Sequence, residues 1–447
     1  MTVDQLSLDG GDTAWVLVSA ALVFLMTPGV GFFYGGMVRA HNVLGTITQS
    51  FAAAAVVTVV WVAFGYSLAF DDGGPLIGGF GLAGLGDPGQ PVPGFPDLRI
   101  PPYAFALFQL MFAIITPALI AGAAAERWRF GSFLFFCLAW SLLVYAPVAH
   151  WVFSPFGWSA QMGALDFAGG TVVHANAGAA ALVCAMRLGR RTGWPAENHR
   201  PHSLPLVLLG TVMLWLGWFG FNGGSALAAD GIAATAFVNT QAAAAAGLLA
   251  WAAVERLRFG KATTLGAASG ALAGLVAITP AAGYVTPLGA LAIGVLAGAI
   301  CQLAVGLKSL FRLDDSADVV AIHLGGGVLG SLCVGLFASE AVNSHAADGL
   351  FHGGGYGLLA TQTVTATAVT AYSMVMTLIV LAVADRLVGN RLSQRQELAG
   401  LDLSQHGETG WSLGVGTDRG AAMDWPADGY GPADRTASGN RHRQVGH

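Results

Sequence analysis

Eleven long apolar runs, following one another through a chain of 447 residues, leave very few folds open. Crossing a hydrocarbon core of ~30 Å takes about 20 predominantly apolar residues in a helix. Runs of that kind lie near 14–36, 44–70, 101–124, 130–151, 168–189, 204–226, 232–255, 263–283, 286–310, 319–341 and 363–388. They are continuous rather than alternating, which excludes the strands of a membrane barrel. Only 10% of residues are charged, against roughly 25% in soluble domains. A soluble multidomain enzyme and a disordered chain are thereby excluded. The net charge of -5 argues further against a nucleic-acid partner. The expectation is an all-α polytopic membrane protein with eleven transmembrane helices. The eighth run has the weakest boundary, because Pro280, Gly283 and Pro287 interrupt it.

The basic residues orient the chain. Nineteen of the twenty fall in one set of alternate segments, and Arg99 stands alone in the other. The positive-inside rule makes the basic side cytoplasmic, so the N-terminus is outside and the C-terminus inside. A miscount by one span would mix the two sets. The first nine residues carry no basic region of the kind that precedes a cleaved signal. Residues 1–13 are thus an extracytoplasmic N-terminus and 14–390 the helical domain. The polar segment 391–411 reads as a loose tail on composition alone, and 412–447 lacks apolar periodicity and reads as disordered. Cys137, Cys184, Cys301 and Cys333 sit far apart inside apolar runs, as packing residues rather than disulfide or metal partners. Abundant Gly and Ala suit close helix packing in lipid.

Ionisable residues at membrane depth are functional candidates by default. His174 follows Asp166 by eight residues and enters the fifth run from outside; His323 follows Asp315 by eight and enters the tenth from inside. At 1.5 Å per residue both lie about 12 Å deep from their own sides. In a ~30 Å core they come within roughly 6 Å of each other along the membrane normal. Matching spacing from opposite sides, five runs apart, predicts two inverted five-helix repeats plus a final helix, with the site at the midplane. Two alternatives stay open at this point. The histidines could each be bound to a backbone carbonyl in a packed core, or they could be axial ligands of a haem between small residues.

Several motifs, in order, resemble the Amt/MEP/Rh ammonium transporters, Amt branch. They are Phe33-Tyr-Gly-Gly36, Ala125-Glu-Arg127 ahead of Phe130, Asp166 to His174, Gly217 to Ser225, Ala236 to Thr240, Asp315 to His323 and Gly400 to Glu408, within about 14–411. The resemblance implies a homotrimer with a pore through each subunit, in the cell membrane, with no cofactor and no bound metal. It implies that His174 and His323 are the pore pair and that Phe112 and Phe221 stack as the gate. The outer ammonium site is implied at Phe112, Phe153, Ser225 and Asp166. It also makes 391–411 a regulatory segment against the cytoplasmic face, where a PII-type signal protein docks. Two departures stand out. His150-Trp-Val-Phe153 puts Phe where the family commonly has Trp, and Gly410-Trp411 replaces Ala-Tyr.

The residues themselves supply a chemistry for these roles. Aromatic faces and a hydroxyl can replace part of the hydration of a small cation with four N–H donors. Asp166, preceding a helix, is first a cap and secondarily an electrostatic aid. An apolar pore imposes a desolvation cost that potassium cannot avoid. Ammonium can shed a proton and cross as ammonia while paired imidazoles carry the proton. The rivals from other classes are an ammonium sensor on the same fold and a haem-bearing membrane oxidoreductase.

Overall fold

The computed structural model describes residues 8–411 apart from 88, 197 and 198. Among the described residues, ten helices are long and apolar enough to cross a membrane. We label them with one shorter helix in chain order: α1 Gly10–Met37, α2 Ala40–Phe70, α3 Pro102–Ala124, α4 Phe130–Gln161, α5 Gly170–Leu188, α6 Leu204–Gly224, α7 Gly231–Phe259, α8 Thr264–Ile278, α9 Pro287–Leu310, α10 Val320–Phe337 and α11 Gly357–Leu387. Two short helices follow, α12 Gln394–Ala399 and α13 Leu401–His406. The chain is an all-α multi-pass membrane protein. Polar residues start the spans where the sequence changes from loop to apolar run. Asp9, Ser203, Asp230 and Thr286 each accept a backbone N–H from the first turn that follows.

The eighth run is the one that departs from expectation. Its helix stops at Ile278, 15 residues long, and the chain continues irregularly through 279–286. Irregular backbone at such depth survives only where protein, not lipid, surrounds it. Here Ala281, Ala282 and Val285 are fully buried. Asn239 of α7 donates from Nδ2 to Ala282 O and Val285 O, and Asn343 donates to Gly283 O. These side chains bind carbonyls that the missing helical turns would have used.

At the centre α5 and α10 cross in backbone contact. A Cβ added at Gly178 would lie 2.1 Å from Leu324 N, and one at Gly327 would lie 2.6 Å from Ala175 N. Gly178 is four residues after His174 and Gly327 four after His323; Ala175 and Leu324 are the residues directly following each histidine. Each helix therefore opens the same notch for the other. Both histidines also lie in a π-helical turn, Gly170–Ala175 and Val320–Gly325. Such turns are commonly tied to functional sites.

The final span runs diagonally across this pair. It meets the outer end of α10 where Gly335 abuts Leu359. It then passes α5, with Ser373 Oγ donating to Asn176 O, and reaches α4, where Trp140 Nε1 donates to Thr377 Oγ1.

The basic face is knitted by buried charge. Glu126 and Arg127 are fully buried. Glu126 accepts from the backbone N and Nε of Arg39, and Arg191 pairs with both carboxylate oxygens of Asp314. Arg127 spends its guanidinium on Ala123 O, Ala125 O, Gly189 O, Asp314 O and Ser316 Oγ. The polar segment from 391 to 410 is not loose. Arg391 donates to Leu188 O, Arg190 O and Glu397, and buried Glu397 accepts Thr192 N. Asp402 accepts Gly45 N at the start of α2, and Asn42 Oδ1 accepts Leu401 N. The expected disorder of 412–447 and residues 1–7 of the N-terminus lie outside the described residues.

Candidate functional site

On the face opposite the basic one, a cavity of about 230 Å³ opens between α3, α4 and the loops before α5 and after α6. It gathers all four residues expected at an outer site: Phe112, Phe153, Asp166 and Ser225. Phe153 turns into this space. Its neighbour Trp151 turns away, packs on Trp158 and Tyr372, and donates to Leu76 O. The Ser225 hydroxyl gives its proton to Phe221 O at 2.8 Å, which leaves its lone pairs for an incoming donor.

Asp166 is the helix cap in full. One carboxylate oxygen accepts Gly169 N and Gly170 N, the other Thr171 N and Val172 N, at 2.7–3.1 Å. Burial pushes its carboxyl up to about 6, and the four N–H donors work against that rise. With four N–H groups engaged, it acts on the cavity as a fixed field rather than a ligand. On the other side Asp315 repeats the motif with less: its Oδ2 accepts Val320 N at 2.8 Å.

Phe112 lines the cavity and packs against Phe221, both buried, with ring centroids 4.3 Å apart. Beneath them lies His174, whose ring stacks 5.9 Å from Phe221 and 5.3 Å from Trp218. The two histidines meet through their δ nitrogens, His174 Nδ1 to His323 Nδ1 at 3.2 Å. This is a direct bond, closer than the spacing argument required. It also removes the packed-core alternative of two separate carbonyl bonds. A haem does not fit either. An axial pair holds its nitrogens about 4 Å apart through two metal bonds of about 2 Å, and here the rings are already in contact.

One proton serves the pair, since one Nδ1 must donate while the other accepts. In the neutral state the donor ring then has a bare Nε2 and the acceptor ring an Nε2–H. The line of imidazoles thus presents both an acceptor and a donor. His174 Nε2 is buried without a partner. Below the pair, a narrow space bounded by Phe33, Tyr34, Leu119, Leu214 and Ile322 leads toward the basic face. Tyr34 turns its hydroxyl aside to Leu119 O.

Two contributors escaped the sequence reading. Tyr284 lines the outer cavity from the irregular segment after α8, and the break at Pro280 and Gly283 was the available signal. Trp218 flanks His174 and is fixed by its Nε1 donating to Thr279 Oγ1. The cysteines are buried and unbridged. Among the described residues, no group of three or more His, Cys, Asp or Glu is placed to hold a metal ion.

The model of the Ammonium Transporter Family matches residues 14–411. An ammonium transporter of Mycobacterium tuberculosis is 51% identical over 439 residues, covering 91% of each chain. The crystal structure of Candida albicans Mep2 superposes with a TM-score of 0.82 at 38% identity, covering 87% of this chain and 88% of that one. A solved structure described as a Sensor Amt Protein gives a TM-score of 0.81 at 28% identity, covering 89% and 98%.

Proposed function

The chain belongs to the Ammonium Transporter Family and moves ammonium across a membrane, and from that premise we propose that it admits the ion but passes ammonia, with its proton travelling separately through the histidine pair. The observation that carries this reading is the 3.2 Å bond between His174 and His323 beneath an apolar aromatic floor.

Recruitment takes place in the outer cavity. Ammonium loses part of its hydration to the faces of Phe112 and Phe153 and donates one N–H to Ser225 Oγ, while ionised Asp166 favours its charge. Passage between Phe112 and Phe221 strips the remaining water. In that apolar space the charged form is costly and the neutral form is not, so ammonium loses a proton there. Ammonia then moves along the imidazole edges, donating to the bare nitrogen and accepting from the N–H. The proton enters at the bare Nε2 of one ring, the shared Nδ1 proton passes to the other ring, and that ring's Nε2–H leaves on the far side. Potassium has no proton to shed and stays outside.

The fuller arrangement belongs to the same proposal. Eleven spans, α8 included, put the N-terminus outside and the docked 391–410 segment in the cytoplasm, and the matching notches of α5 and α10 support inverted repeats. Subunits assemble as a homotrimer in the cell membrane with one pore each, and a PII-type signal protein acts at the cytoplasmic face. Uptake of ammonium or methylammonium into proteoliposomes, with and without a pH gradient, is the test. Binding without flux would mean a sensor on this fold and would overturn the transport mechanism.

A further inference from the structure

Because α5 and α10 cross at a point, they spread apart toward both faces and leave a wedge on each side. The outer wedge is filled by α11. Gln362 plugs it, donating to Leu165 O and Ser331 O and accepting Leu165 N. On the basic side α11 runs along α4 and the far flank of α5, where Met374, Val375 and Leu378 face Val183, Met186 and Arg187, and none of its residues lines the space between α5, α9 and α10. What remains is a cavity of about 580 Å³, backed by the end of α9. That volume is in the usual range of ligand sites.

Its walls are apolar, drawn from Met186, Ala304, Leu307, Phe311, Leu313 and Leu324. Several of these face outward: Met186 is 65% exposed and Phe311 is 73% exposed. The mouth therefore opens at the membrane rather than into the pore, whose own side of α10 carries Ile322 and His323. The polar end of the cavity holds Lys308, Asp315 and Asp318. Lys308 is bound to Asp318, so this corner carries no spare positive charge. Positive charge lies just outside. Arg190 donates from Nε to the backbone carbonyl of Arg312 while its guanidinium lies over Trp194, and Arg312, also exposed, sits in sequence between the cavity residues Phe311 and Leu313.

We propose that this cavity seats one acyl chain of a phospholipid from the leaflet on the basic side, with the phosphate held by Arg190 and Arg312. The apolar walls take the chain, the membrane-facing mouth supplies it, and the two exposed arginines at its edge suit a phosphate oxyanion. The lipid fills the position that α11 occupies on the other side. Its chain rests on Leu324, directly after His323.

The test counts lipids bound to purified, delipidated protein by native mass spectrometry. The probes are a phosphatidylglycerol and a phosphatidylcholine with the same chains. The parent should retain one lipid of either kind per subunit, with phosphatidylglycerol bound at least fivefold more tightly. Ala304→Trp fills the cavity and should remove that lipid for both probes, with a melting temperature near the parent's. The double variant Arg190→Gln, Arg312→Gln should keep the lipid but lose the preference between headgroups. An unchanged lipid count in Ala304→Trp would overturn the proposal. So would a changed subunit count at constant lipid number, which would make the cavity a contact between copies. If Ala304→Trp does not fold, an undiminished preference in the arginine variant overturns it instead.

Discussion

Replacing Gly178 by Ala tests whether the crossing of α5 and α10 is what holds the histidines in contact. The added Cβ would lie 2.1 Å from Leu324 N, where ordinary contact begins at 3.4 Å, so the helices must part by about 1.3 Å. The obstacle is backbone, which cannot rotate aside. The Nδ1 to Nδ1 distance would then grow from 3.2 Å to about 4.5 Å, beyond hydrogen bonding. Losing a bond worth ~1–1.5 kcal/mol corresponds to about a tenfold loss of rate, if the shared proton limits flux. Gly327→Ala grades the effect: its Cβ is 2.6 Å from Ala175 N, so the parting is about 0.8 Å and the loss smaller. Gly131→Ala is the control, since its Cβ meets only Val388 Cγ1 at 3.7 Å. Methylammonium uptake into proteoliposomes gives the rates, and size-exclusion chromatography shows that each variant assembles. The expected order is parent and Gly131→Ala, then Gly327→Ala, then Gly178→Ala. Parental flux in an assembled Gly178→Ala would refute the link between the notches and the proton pair.

Further outcomes follow from the same geometry. Phe153→Trp should tighten ammonium recruitment by the ~0.5–2 kcal/mol of a cation–π contact, read as a lower half-saturation for uptake; an unchanged value together with loss in Trp151→Ala would move the site to Trp151. His174→Asp should admit potassium by placing a fixed negative charge in the pore, measured as potassium current in bilayers. Glu397→Ala leaves Arg391 and Thr192 N without their shared acceptor, a loss of ~1–3 kcal/mol for a buried partner. Limited proteolysis should then cut within 391–410 at least several times faster than in the parent. Cysteine labels at positions 87 and 447 should react from opposite sides of the membrane, and reaction from one side only would defeat the eleven-span count.

The parts legible in the sequence were those set by the bilayer or by helix spacing. Apolar length gave the spans, because lipid forces every spanning backbone into helix. The equal spacing from Asp166 to His174 and from Asp315 to His323 located the pair, because rise per residue converts directly to depth. The break after Ile278 was hidden by the same logic. A window of apolar residues reads as a span whether or not its second half is helical, and what makes 279–286 tolerable is Asn239, forty residues earlier. Arg127 and Glu126 illustrate a second blindness. The charge rule counts Arg127 by sign and side and ignores Glu126, while the structure buries both and satisfies them with Arg39 and a ring of carbonyls. The docked tail was illegible on composition for a similar reason: α12 and α13 are too short for periodicity, and single residues, Glu397 and Asp402, hold them. Gly178 and Gly327 were lost among 63 glycines until the distance of four from each histidine gave them a meaning.

The two halves share one device but do not share one environment, and the difference bears on direction. Asp166 takes four N–H bonds and borders a cavity of about 230 Å³ lined with aromatic faces and a hydroxyl. Asp315 accepts the Val320 N–H, lies near the Lys308–Asp318 pair, and lines the apolar wedge between α5, α9 and α10 instead of an aromatic cavity. A cation arriving from outside thus meets partial replacement of its hydration shell before the aromatic floor. A cation arriving from the basic side meets a narrow apolar passage first. The symmetric histidines can pass a proton either way, so the asymmetry lies in capture. The proposed mechanism thus assigns recruitment at low ammonium to the outer cavity and exclusion of potassium to the pair below it, and mutations should separate the two: changes at Phe153 and Ser225 should move half-saturation, and changes at His174 and His323 should alter what crosses.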